Sequence, residues 1–216
     1  MMATLSLAML PKPAAADETL VSREARYFWN KAKTELYADF SFRDLVNSAL
    51  LEKLSRGLPT TIVFTGLVYR QGANEPVSST LQSCKVTWHL WEEMYRVELT
   101  RPNRRAPTRY WTPTISGVLR RCIEVRGLLI ADRSQVEPGK AVQLRGKVQI
   151  NPVSDELLKK IKRWISRPSR TSTATPGSAL FSTFTGLFMQ RIGDAERSVD
   201  VQTKLGVPKT VDGGDS

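Results

Sequence analysis

The stretch "CKVTWHLWEEMYRVEL", Cys84 to Leu99, decides how the chain folds. Cys84, Val86, Trp88 and Leu90 alternate with Lys85, Thr87 and His89, and Tyr95, Val97 and Leu99 alternate with Arg96 and Glu98. Period-two spacing on both sides of Glu92 and Glu93 predicts an antiparallel hairpin with one buried face.

Working outward, "TTIVFTGLVYR" (Thr60 to Arg70) is rich in β-branched and aromatic residues and predicts a further strand. "KTELYADFS" alternates through Leu36, Ala38 and Phe40 and predicts another. Between them, "SFRDLVNSALLEKLSRGLP" predicts a helix capped by Ser41 and Asp44. Leu45, Val46, Ala49, Leu50 and Leu54 form its stripe, and Gly57, Leu58 and Pro59 end it.

Beyond the hairpin, "RPNRRAPTRYW" (Arg101 to Trp111) reads as a loop by its prolines and charges. A second helix is expected from Thr112, with Pro113 in its first turn and Ile115, Val118, Leu119, Cys122 and Ile123 on its apolar stripe. Strands are expected at 128–131 and 141–150, with "VEPGK" turning between them. "SDELLKKIKRWISRPSR", from Ser154, predicts a third helix with Leu157, Leu158, Ile161, Trp164 and Ile165 on one face. "ALFSTFTGLFMQRI" predicts a short amphipathic helix and "RSVDVQTKL" a last strand.

The fold class expected from this order is α+β: an antiparallel β-sheet or sandwich-like core with about three packed helices and a C-terminal amphipathic segment. The expected organisation is a signal-like segment at 1–16, a core domain at 17–166 and a polar linker at 167–178. A C-terminal segment at 179–206, docked on the core, and a loose tail at 207–216 complete it.

The chain has 216 residues, 41% of them apolar, and carries a net charge of +11. That is enough apolar material for a sizeable core, and no apolar run approaches the roughly 18 residues that span a bilayer. The charge is segregated. Residues 101–170 hold 17 Lys and Arg against 5 Asp and Glu, and the remainder is close to balanced. Solubility alone does not require this, whereas an anionic partner favours it.

At the N-terminus, an apolar run from Ala3 to Leu10 precedes Ala14, Ala15 and Ala16. The pattern resembles the end of a secretory signal cleaved after Ala16, although the basic leader that normally opens such a signal is missing. A periplasmic or envelope-associated protein is expected; the other reading is a disordered tail on a cytoplasmic one. Cys84 and Cys122 fit either buried core thiols or, in an oxidising compartment, one disulfide.

No phosphate loop, dinucleotide fingerprint, nucleophile elbow or zinc motif is present. His89 is the single histidine, so no multi-histidine metal site exists, and on its strand it is expected to face solvent. No catalytic residue, metal site or cofactor is expected. The candidate partner-binding residues are Arg101, Arg104, Arg105, Arg109, Tyr110, Trp111, Arg120 and Arg121, with Lys159, Lys160, Lys162 and Arg163 of the third helix.

The segments "LEKLSRGLPTTIVFTGLVYR", "VTWHLWEEMYRVEL" and "IADRSQVEPGKAVQLRGKVQI" carry a family likeness. From about Leu36 to Arg167 the chain resembles a proteobacterial family of uncharacterised exported proteins, domain of unknown function 4390. The carrying features are the Gly57-Leu58-Pro59 step, Tyr69-Arg70 closing a long strand, the Tyr95-Arg96-Val97 arm and the Pro138-Gly139 turn. The resemblance implies an envelope location and no known catalytic residues, and it does not extend beyond Arg167. The expected function is a non-enzymatic envelope protein that binds an acidic protein surface or lipid headgroups through the 101–170 region. The alternative is a nucleic-acid-binding accessory protein that uses the same arginines, with Tyr110 and Trp111 as stacking groups; an uncharacterised hydrolase is a third class.

Overall fold

The computed structural model describes residues 22–152 and 197–210. In chain order these form β1 (Ser22–Arg23), β2 (Ala25–Trp29), β3 (Glu35–Ser41), a 3-10 turn (Arg43–Leu45), α1 (Ser48–Ser55), β4 (Thr60–Arg70) and β5 (Ser78–His89). There follow β6 (Met94–Thr100), β7 (Thr108–Thr112), α2 (Ile115–Cys122), β8 (Glu124–Asp132), β9 (Val142–Ile150), β10 (Arg197–Thr203) and β11 (Lys209–Thr210).

The strands make two sheets. The larger has the order β1-β10-β9-β4-β5-β6-β7 and the smaller β11-β2-β3-β8. All neighbours are antiparallel except the short β1–β10 and β11–β2 pairs. The inner face of the large sheet carries Ile62, Phe64 and Val68 of β4, Cys84 and Val86 of β5, and Val97 of β6, all buried. Against it the small sheet sets Tyr27, Trp29, Leu36, Ala38, Phe40 and Leu128. The rings of Phe40 and Phe64 meet across the interface at 5.0 Å, edge to face, an arrangement aromatic pairs favour.

This architecture corrects the α+β expectation. Among the described residues strands hold 53% and helices 13%, with two α-helices in place of about three plus an amphipathic segment. The reason lies in unrecognised strands. The expectation lacks β2 and β7, β5 begins before Cys84, and Ser41 to Asn47 holds only the 3-10 turn and no α-helix. The third helix expected from Ser154 and the Phe-rich segment from Ala179 lie outside the described residues.

Local chemistry explains the helix boundaries. α1 starts later than expected because Asn47 caps it, its side chain accepting from the Leu50 amide at 3.0 Å. Asp44 serves instead as the partner of buried Arg23, whose Nη2 donates to it at 2.8 Å. The C-terminus follows the sequence. Gly57 takes φ +69°, its amide donates to the Leu54 carbonyl and the Leu58 amide donates to that of Lys53. This is the pairing that a left-handed residue after a helix produces.

Two hydroxyls lock the layers together. Tyr27 of β2 shares a hydrogen bond with Thr203 Oγ1 of β10 at 2.5 Å, and Thr203 Oγ1 also lies 3.1 Å from the Leu144 carbonyl of β9. Tyr95 of β6 donates to the Leu54 carbonyl of α1 at 2.8 Å. Burial pushes both hydroxyls above their ordinary pKa of 10.0. A proton held more tightly when folded gives stability that is full below the unfolded value and is lost as pH rises through the folded one. Urea unfolding followed from pH 8 upward is therefore expected to show stability falling above about pH 10, with a shallower fall in Tyr27→Phe.

Candidate functional site

From Leu99 to Ile123 the chain contains six arginines and no acidic residue. This segment forms the end of β6, a loop, β7 and α2. It begins with a half-buried tether. Arg101 Nε donates to Gln82 Oε1 at 2.9 Å and its Nη1 donates to the Arg126 carbonyl at 2.6 Å. Burial lowers its pKa most; nearby Arg104 lowers it further, against the opposing pull of Tyr110 and Asp39. Arg101, just after β6, thus bridges β5 of the large sheet and β8 of the small one.

On the small sheet that junction meets a second set of charges. Asp39 is buried at 6% exposure, because β3 and β8 slip register between Ala38 and Phe40. Its carboxylate accepts from the Gly127 amide at 2.6 Å and from Arg26 Nη2 at 2.6 Å, with Arg126 Nη1 at 4.0 Å. Glu124 pairs with Arg126 at 3.9 Å and also with Arg43. Three guanidiniums, each more than half exposed, are therefore fixed by two carboxylates that are mostly covered. The anchoring limits rotamer freedom without neutralising the set, and planar guanidinium forks suit carboxylate and phosphate oxygens.

The expected residues divide by face. Tyr110 lies opposite buried Val97 in register, so it projects inward, and Arg121 stacks on its ring at 4.2 Å. Arg109 and Trp111 project to the other face of the large sheet. Arg109 Nε donates to Glu98 at 3.1 Å, and Trp111 stands edge-on to His89 at 4.9 Å. Arg104, Arg105 and Arg120 are exposed. Lys159, Lys160, Lys162 and Arg163 lie outside the described residues.

Arg26, Arg43, Asp39 and Glu124 were not singled out from sequence. Arg26 occupies a polar position of the unrecognised β2, and Asp39 a nominally solvent-facing one of β3. The available signal was the "ARYFW" alternation that buries Tyr27 and Trp29. His89 is only partly exposed, with Nδ1 at 3.6 Å from Glu92, so its surroundings are the Trp111 ring and the hairpin turn rather than open solvent. Leu90, expected on the buried arm, is 71% exposed because the turn begins there.

Cys84 and Cys122 form a disulfide with their Cα atoms 5.5 Å apart, tying α2 to the inner face of β5. Among the described residues, no three His, Cys, Asp or Glu side chains stand close enough to hold a metal ion, and no helix is long and apolar enough to cross a membrane.

Residues 21–154 match the family described as Domain of unknown function (DUF4390). The chain belongs to this family. The match covers β1 to β9 and both α-helices, with the whole arginine segment inside it. β10 lies beyond the matched DUF4390 residues yet pairs with β9 along six residues, so the folded unit draws on chain outside that match. No curated protein matches the chain. No solved structure matches it either.

Proposed function

We propose that this DUF4390 protein is a non-enzymatic binding module of the periplasm or cell envelope that engages an anionic partner. The contact surface comprises the arginines of the 99–123 segment and the adjoining Arg26, Arg43 and Arg126. The carrying observation is the composition of that segment together with its exposure: six arginines, no acid, and five of them (Arg104, Arg105, Arg109, Arg120 and Arg121) at the surface. A surface of one sign with its countercharges mostly covered raises the local concentration of anions. The buried Cys84–Cys122 bond supports the compartment, because structural disulfides persist where the environment is oxidising. An acidic protein surface or lipid headgroups suit such arginines. Nucleic acid is disfavoured because Tyr110 and Trp111 point to opposite faces of β7 and offer no shared stacking platform.

The test uses the full, oxidised chain and fluorescence anisotropy with three probes: labelled polyglutamate, labelled single-stranded DNA, and phosphatidylglycerol vesicles. Arg104→Glu with Arg105→Glu, two exposed positions, is expected to weaken polyglutamate or vesicle binding about tenfold or more, a loss of about 1.4 kcal/mol. Unchanged binding by that variant contradicts the proposal, and preference for DNA returns the nucleic-acid reading.

A further inference from the structure

We propose that the outer edge of β7 accepts an extended, acidic segment of a partner protein as an added strand. This inference rests on the anionic-partner reading above and names the partner and the manner of contact.

Sheet edges differ in how they are protected, and that difference points to β7. An unpaired strand edge offers a row of backbone donors and acceptors to any passing strand, and proteins blunt it by shortening, covering or charging it. β1 and β11 are two residues each, too short to template pairing. β8, the terminal strand of the small sheet, has two carbonyls taken by side chains from elsewhere. Thr80 Oγ1 donates to Leu129 and Arg101 Nη1 to Arg126, both at 2.6 Å. β7 has five residues, ends the large sheet and pairs with β6 along one side. Among the described residues, nothing donates to or accepts from its other side.

The surroundings of that edge select the occupant. Arg109 is 68% exposed and Trp111 is 49% exposed on one face. Tyr110 with Arg121 stacked on it lies on the other, and Arg104 and Arg105 precede the strand. An added strand with carboxylates at alternate positions sets them on the face of Arg109, while its apolar residues fall on the face of Tyr110. Main-chain bonds then supply affinity and the side chains supply selectivity. Pro107 and Pro113 bracket β7, so an added strand gains no pairing beyond the five residues between them. A second copy is a poor occupant: it would bring together two segments that each hold six arginines and no acid.

The experiment titrates the full, oxidised chain with a short synthetic peptide of alternating Glu and Val, and with the same peptide N-methylated at alternate amides. Affinity is read by calorimetry, and Thr108 to Thr112 are followed by amide hydrogen exchange. The expected result is binding by the plain peptide, slowed exchange in β7, and a loss of about tenfold or more on methylation, which removes backbone donors and leaves charge intact. Equal binding of both peptides overturns strand addition and leaves the anionic-partner reading standing. Protection of β7 without peptide, lost on dilution, overturns it in favour of a second copy. Binding by phosphatidylglycerol vesicles or single-stranded DNA, with none by either peptide, overturns it in favour of lipid or nucleic acid. Failure of every probe at low salt overturns both readings.

Discussion

Loss of the Cys84–Cys122 bond is expected to lower stability by about 4 kcal/mol, from the loop-closure entropy of a crosslink spanning 38 residues. The bond joins the second half of the large sheet to α2, so in the unfolded chain it restrains β5, β6, β7 and the arginine loop between them. Both cysteines have no exposed surface, and reductant has little access until the protein opens. The comparison is therefore best made with Cys84→Ala/Cys122→Ala against the oxidised protein. A fall of about 10 °C in Tm is expected for a chain of this size, and a change below about 3 °C would show that the crosslink contributes little. The site depends on this anchor as well, since Gln82 Nε2 donates to the Cys122 carbonyl at 3.4 Å while Gln82 Oε1 holds Arg101. A reduced protein that still folds is thus expected to hold its arginine loop less firmly.

Gly146→Ala is the next largest effect. Gly146 of β9 and Gly66 of β4 lie opposite each other in register, and the Phe64 ring covers both. A Cβ on Gly146 would stand 2.1 Å from the Thr65 carbonyl oxygen and 2.9 Å from Gly66 Cα. The obstacle is backbone in the middle of the seven-stranded sheet, which no rotamer change relieves. The neighbouring strands must part, and overpacking of this kind costs about 3 kcal/mol or more. A drop in Tm of about 8 °C is expected. A neutral substitution would mean that β4 and β9 are not in the register described.

The hairpin of β5 and β6 is legible because Cys84, Val86, Tyr95, Val97 and Leu99 are buried on one face while Lys85, Thr87, Arg96 and Glu98 between them are not. The end of α1 was legible because Gly57 must occupy a conformation that other residues resist. β7 was hidden because it is an edge strand: "TRYWT" between two prolines and beside several arginines carries the composition of a loop. The same oversight blurred the site. Once Thr108 to Thr112 is a strand, Tyr110 and Trp111 fall on opposite faces and Arg109 turns toward Glu98. The excess of arginine was visible in the residue counts. Its partition between two faces, and its extension to Arg26 through Asp39, depend on contacts across sheets. The Gly127 amide that helps hold Asp39 is 88 residues away in the chain, and no local pattern reports it.

Local charge and total charge can be separated by mutation. Two variants each reverse four exposed cations: Arg104, Arg105, Arg120 and Arg121 to Glu in one, and Lys31, Lys33, Lys140 and Lys209 to Glu in the other. Both have the same net charge, so non-specific attraction to polyglutamate or anionic vesicles falls equally in the two. The arginine variant is expected to lose binding by about a hundredfold and the lysine variant by less than about threefold at physiological ionic strength. Equal losses would contradict the proposal, because they would show that the protein attracts anions as a uniformly basic body and not through the face built around β7.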